Sequence, residues 1–122
     1  MLVHEILLNR IYAPAEKADG ARILIDRLWP RGISKVEASL DAWLKDIAPS
    51  TEVREWYHHE ADLWDEFHKR YTAELNAMPH AVEELRGWID KGRVTLLYAA
   101  KDEAHNNAVV LRDYLLGDVT QR

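Results

Sequence analysis

Cysteine is absent from this 122-residue chain, which excludes a disulfide framework, thiolate zinc sites and any cysteine nucleophile. No apolar run approaches the roughly 20 residues needed to cross a bilayer. The start, Met1-Leu2-Val3-His4-Glu5, lacks the basic segment, long apolar segment and small-residue cleavage site of a secretory leader. The expectation is a soluble cytoplasmic protein without membrane association. Basic residues are outnumbered, 16 against 21 acidic, for a formal charge of −5. That balance argues against non-specific nucleic-acid binding, which draws on lysine and arginine, but leaves room for a local basic patch. Internal repeats, low-complexity tracts and long Gly/Ser linkers are also missing, so residues 1–122 are expected to form one domain.

What is present is a 48% hydrophobic composition with five tryptophans, enough to bury roughly two-thirds of the unfolded surface at this size. Val3 to Leu8 reads as a first strand ending at Arg10-Ile11-Tyr12, followed by a polar link from Pro14 to Gly20. Ala21 to Leu28 reads as a second strand, and its unbroken Ile23-Leu24-Ile25 centre suggests burial on both faces, as in a parallel sheet. Ser34 to Ala48 suits a short helix and then a strand. Ser50 is placed to cap a helix that carries Val53, Trp56 and Tyr57 on one face and ends near His59. Asp62 is placed to cap the next, where Trp64, Phe67, Tyr71 and Leu75 recur at helical spacing until Met78-Pro79. Pro79 suits the first turn of a further helix, with Val82, Leu85 and Ile89 as its stripe and Gly92 as its end. Val94 to Ala99 reads as another strand. Asp102 is placed to cap a last helix that buries Ala108, Leu111 and Leu115 and stops at Gly117. Alternating elements of this kind predict an α/β layered domain with a mostly parallel central sheet flanked by helices. The short first link fits parallel pairing badly, and both a tight crossover and an antiparallel turn stay open.

The run Asp26-Arg27-Leu28-Trp29-Pro30-Arg31-Gly32 ends a buried strand in guanidinium groups, which seek anions. In a parallel sheet, ligands bind beyond the carboxyl ends of the strands. Three such ends are rich in polar groups: Arg10 and Tyr12 at the first, Asp26, Arg27, Trp29 and Arg31 at the second, Tyr98, Lys101 and Asp102 at the third. His105, Asn106 and Asn107 then open the last helix, where free N–H groups favour an anion. Arg10, Arg27, Trp29, Arg31, Arg54, Lys101 and Asn106 are therefore the candidate ligand-binding residues. His105 is the candidate acid or base, with Asp26 or Asp102 to assist it. Competing structural readings exist: an Asp26–Arg27 network capping the sheet edge, Trp29 packing against a helix, and Arg70 snorkelling beside core aromatics. His58-His59-Glu60 with Asp62 and Asp65 lacks metal-ligand spacing, because adjacent histidines on a helix diverge. No metal is expected.

Taken together, Asp26-Arg27-Leu28-Trp29-Pro30-Arg31-Gly32, the spacing Trp64-x-x-Phe67-x-x-Arg70-Tyr71-x-x-Glu74-Leu75, and Leu96-Leu97-Tyr98-Ala99-Ala100-Lys101-Asp102 with His105-Asn106 resemble the YeaO-like family of uncharacterised bacterial proteins. The resemblance spans nearly the whole chain and implies the single-domain α/β fold, but no settled activity. Longer members have a fuller crossover after the first strand and often Cys-His-Arg near the final helix, where this chain reads Asn106-Asn107-Ala108. No thiol-dependent role is therefore implied. Some members carry a uroporphyrin methyltransferase label. This chain has no glycine-rich strand-to-helix turn for a nucleotide-like cofactor, and no cofactor is expected.

The leading reading is a small enzyme or enzyme-like protein that binds a phosphate- or carboxylate-bearing small molecule. Two alternatives stand beside it. One is a non-catalytic module that uses the basic patch and Trp29 to contact a nucleic acid or acidic protein. The other is a homodimer whose tryptophans form the interface and leave no ligand site.

Overall fold

A computed structural model describes residues 5–58 and 60–120; Val3, in the expected first strand, and His59 lie outside them. Four strands form one sheet: β1 (Ile6–Arg10), β2 (Ala21–Leu24), β3 (Ala42–Trp43) and β4 (Val94–Tyr98). All pairings are parallel and the spatial order is β1-β4-β2-β3. Five α-helices accompany them: α1 (Lys35–Ala38), α2 (Thr51–Tyr57), α3 (Trp64–Asn76), α4 (Pro79–Lys91) and α5 (Asn107–Thr120). The expected α/β layered fold is thus present. Among the described residues no helix is long and apolar enough to cross a membrane.

Strand alternation divides the core into two unequal parts. Ile23, Ile25, Val94, Leu96 and Tyr98 join one large cluster with the buried stripes of α2 to α5, including Tyr57, Phe67, Tyr71, Leu85 and Leu111. Leu24 and Leu97 belong to a second, small cluster with Ile11 and Ala38, against which Trp29, Ile33 and Trp43 pack. Only α1 and loops complete that side, and polar groups take part of the space. Arg22 and Asp19 are both buried there, in an ion pair of 2.6 Å. Arg22 also donates to the Ala38 carbonyl at 2.8 Å, and Thr95 Oγ1 donates to the Asp19 carbonyl at 2.7 Å. A buried pair is tolerated when its remaining hydrogen-bonding capacity is met in this way.

That network explains how the first link reaches across β4. Residues 11–20 carry the chain from β1 to β2 on the far side of β4, so the link is a tight crossover and the antiparallel turn is ruled out. A single turn of 3-10 helix, Lys17–Asp19, supplies its only regular structure. Gly20 then adopts φ 67° and packs so closely on the Arg93 backbone that a β-carbon would overlap the Arg93 carbonyl oxygen.

Several boundaries differ from the sequence reading. The second strand ends at Leu24 rather than Leu28, because Asp26 turns the chain by lending its side chain to β4 and its carbonyl to the Trp43 indole, 2.7 Å away. Asp62 does not cap α3; a 3-10 turn, Ala61–Leu63, leads into that helix without a side-chain cap. Asp102 does not cap α5 either. Asn106 does so, its Oδ1 accepting the Val109 N–H at 3.1 Å, and the helix runs on past Gly117. Ser50 does cap α2 at 3.2 Å, and Pro79 does open α4.

Gly20→Ala is expected to cost about 1–3 kcal/mol, since it adds left-handed strain to a backbone collision. Gly32→Ala also places alanine at positive φ, but into open space, and should cost less. Urea denaturation of the two variants measures the difference; equal losses would mean that the crossover does not depend on the close Gly20–Arg93 approach.

Candidate anion-binding cleft

The carboxyl ends of β2 and β4 open into a cleft of about 490 Å³. One side is the Asp26–Arg31 loop. The other is Ala48-Pro49 with Arg54, Tyr57 and His58 from α2, while Phe67, Ala99, Ala100 and Asn107 close it from within. Ligand sites in parallel α/β sheets occur at this end of the strands.

Each wall has a local cause. Tyr71, fully buried on α3, donates to the Ile47 carbonyl at 2.6 Å. Burial pushes its phenol well above the ordinary range, with Asp26 and Glu74 adding to the effect, so it stays a donor. Glu74, also on α3, accepts the Ser50 N–H at 2.9 Å. These two contacts hold the segment between them, and Arg27 donates to the Ala48 and Pro49 carbonyls at 3.2 and 3.4 Å. The opposite wall is fastened by the Tyr12 hydroxyl, which donates to the Arg31 carbonyl at 2.7 Å. The Trp29 indole donates to the Ile33 carbonyl at 2.9 Å and meets Trp43 edge to face, with ring centres 5.4 Å apart.

Asp26 and Arg27, adjacent in sequence, do not pair. Asp26 accepts the Ala99 N–H and the Asn107 side-chain amide, each at 3.0 Å, whereas Arg27 turns to Ala48 and Pro49. The expected alternative of a self-neutralising Asp26–Arg27 network is therefore not what these side chains form. Arg31 and Arg54 line the same cleft as Arg27. Among the described residues none of the three arginines makes an ion pair with a carboxylate.

Five candidates are thus brought together: Asp26, Arg27, Trp29, Arg31 and Arg54. Four are not. Lys101 is exposed and does not line the cleft, so the expected sharing of one cleft by Arg27 and Lys101 is absent. Arg10 donates to the Ala99 and Ala100 carbonyls at 3.0 and 2.9 Å and lies over the Tyr12 ring, bracing the end of β4. Asn106 is buried and committed to capping α5. His105 lies edge-on to Trp64 with ring centres 5.1 Å apart, and its Nδ1 is 3.0 Å from Asp102, not Asp26. Arg70, weighed beside them, sits over Trp56 and pairs with Glu66.

Three contributors escaped the sequence reading as site residues. Asn107 was grouped with its neighbour at the helix start, and only its hydrogen bonds to Asp26 and to the Ile25 carbonyl separate it. Tyr57 and Phe67 read as core aromatics and are indeed buried and stacked, 4.1 Å apart, but their edges also form the inner wall.

The chemistry available is narrower than the residue types suggest. The Tyr57 hydroxyl donates to the His105 carbonyl at 3.3 Å. Burial, reinforced by the Asp102 charge, pushes its pKa up to about 12, so it is no base near neutral pH. Among the described residues no serine, threonine or cysteine lines the cleft. Among the described residues no cluster of three or more His, Cys, Asp or Glu side chains is arranged to hold a metal ion.

These features define an α/β protein with an arginine-lined cleft at the carboxyl edge of a parallel sheet. The chain belongs to the DUF488 family, since residues 5–122 match the family model described as "Inactive DUF488-N3 subclade". It is similar to "Uncharacterized protein YeaO" of Escherichia coli, 46% identical over 110 residues that cover 90% of this chain and 96% of the relative. It is also similar to "Uncharacterized protein Mb3100c" of Mycobacterium bovis and "Uncharacterized protein Rv3073c" of Mycobacterium tuberculosis, each 43% identical over 112 residues, or 92% of this chain and 94% of theirs. No solved structure gives a significant match.

The loop around His105 makes a prediction of its own. Hydrogen bonding from the Ala104 N–H, with further contributions from His105, holds the Asp102 carboxyl below its ordinary 3.8. A lowered folded-state value stabilises the fold fully above pH 3.8 and loses that contribution as pH falls through the lowered value. Asp102→Asn, which keeps an acceptor for Ala104, should flatten this part of the acid limb. Thermal denaturation from neutral pH downward checks it; an unchanged pH slope would rule out Asp102 as a contributor.

Proposed function

We propose that this protein binds a small organic anion in the cleft, through a phosphate or carboxylate group held by Arg27, Arg31 and Arg54, and that it does so without transforming the ligand. The observation that carries this reading is the lining of one cleft by three arginines without carboxylate partners among the described residues. Like charges gathered this way repel one another, and a multivalent anion relieves the repulsion while accepting paired N–H bonds. Proton transfer by His105 has no support from its position, because it packs on Trp64 outside the lining. A description of the matching subclade as inactive agrees with the binding reading. The reading includes residence in the cytoplasm, where such metabolites occur.

Titration calorimetry with ribose phosphate tests the proposal. Arg31→Ala and Arg54→Ala should each weaken binding roughly tenfold or more, the loss typical of a charge-assisted hydrogen bond. Lys101→Ala should change it by less than about twofold, as for a screened exposed charge. Phosphorus NMR should show the probe unaltered by prolonged contact with the protein. Absence of binding, or binding indifferent to both arginine variants, would overturn the assignment; conversion of the probe would overturn its non-catalytic part.

A further inference from the structure

A cleft of about 490 Å³ is within the range of sites that enclose a complete organic ligand, and it far exceeds what a phosphate or carboxylate group fills. Its remaining surface has two properties. The first is apolar character on one wall: Leu28 is 60% exposed, and the half-buried Trp29 lies beside it in the lining. Exposed apolar surface in a concave site gains free energy when a ligand covers it.

The second is one hydrogen-bond acceptor without a protein partner. Asn107 is only 9% exposed, and its Nδ2 donates both to the Ile25 carbonyl at 3.2 Å and to Asp26 Oδ1 at 3.0 Å. Those two acceptors settle the orientation of the amide, since the reverse would set oxygen against oxygen. Among the described residues its Oδ1 has no hydrogen-bond partner. No buried side-chain oxygen among the described residues lacks a partner, so this atom retains access to solvent, and the cleft is the solvent-filled space that Asn107 lines. An acceptor there calls for a ligand N–H.

We infer that the ligand is a nucleoside monophosphate whose base carries an amine, with the phosphate at the arginines, the flat base against the wall formed by Leu28 and Trp29, and the amine donating to Asn107 Oδ1. This rests on the anion-binding reading above and adds the identity of the ligand's other end. Side-chain guanidinium groups take the part that a glycine-rich loop plays in other nucleotide sites, which is why the absence of such a loop does not conflict with it. The amine selects adenine, cytosine or guanine over uracil, whereas an inorganic anion or a sugar phosphate leaves both the apolar wall and the Asn107 acceptor in water.

Titration of the native protein with adenosine monophosphate, purine riboside monophosphate and ribose phosphate decides the matter. The first two share charge, ring and size and differ only in the amine. Adenosine monophosphate should bind about fivefold or more tighter than purine riboside monophosphate, the loss expected for one neutral hydrogen bond. Both should bind tighter than ribose phosphate. Asn107→Ala should remove the preference for the amine while keeping the preference for a ring, and the native comparison stands even where that variant fails to fold. Equal binding of all three ligands overturns the nucleotide assignment and leaves the anion reading intact. Equal binding of the two nucleotides overturns the role of Asn107. Failure of every ligand to bind overturns both proposals.

Discussion

Asp26 ties three parts of the structure together just beyond the point where the backbone pairing of β2 with β3 and β4 ends. It follows the last buried residue after β2, its carboxylate takes the Ala99 N–H beyond β4 and the Asn107 amide on α5, and its carbonyl takes the Trp43 indole beside β3. A main-chain carbonyl has the reach for one such partner; a carboxylate has two oxygens and several lone pairs. Because these bonds occupy Asp26, the neighbouring arginine is not neutralised by it. Arg27 instead braces Ala48-Pro49, and the cleft keeps its positive wall. The early end of β2 and the position of Asn107 thus share one cause with the electrostatic character of the site.

Elements specified by adjacent residues were legible in the sequence. Pro79, the Val82-Leu85-Ile89 stripe and Gly92 mark α4 from end to end, because a helix start, an apolar face and a stop are all encoded locally. Ser50 and α2 follow the same rule. The misses depended on which partner a side chain takes, near or far in the chain, and residue type alone does not name it. Asp102 has the composition of a cap, yet its Oδ1 serves Ala104 and His105, and the cap fell to Asn106 four residues later. Proximity in sequence to a strand end placed Lys101 with Arg27, but spacing says nothing about direction once the strand has ended. Arg54 was legible as a candidate and its convergence with Arg31 was not, since 23 residues of loop, helix and strand separate them.

The contrast between His105 and Arg54 bears on the kind of function this scaffold supports. An acid–base residue needs to reach the reacting atom as well as a partner that orients it. His105 has the orienting carboxylate, Asp102, and lies against Trp64 rather than in the cleft. Tyr57 reaches the cleft, but burial keeps its proton in place. What the cleft concentrates is fixed positive charge, together with a rigid amide and apolar walls. Under the proposed reading those groups hold a ligand and do not break its bonds, the combination expected where a fold retains a ligand site without a reaction.

The chain's overall charge of −5 gives this local concentration further meaning. Beyond the Debye length, about 8 Å in physiological salt, an approaching anion experiences little of the cleft and is not drawn in by the molecule as a whole. Recognition must therefore arise at short range, where guanidinium groups form directed bonds and apolar surface is covered. An anion that offers charge alone gains only part of that interaction. A ligand that also fills the walls gains all of it, so the same arrangement that weakens long-range attraction favours selectivity among anions of equal charge.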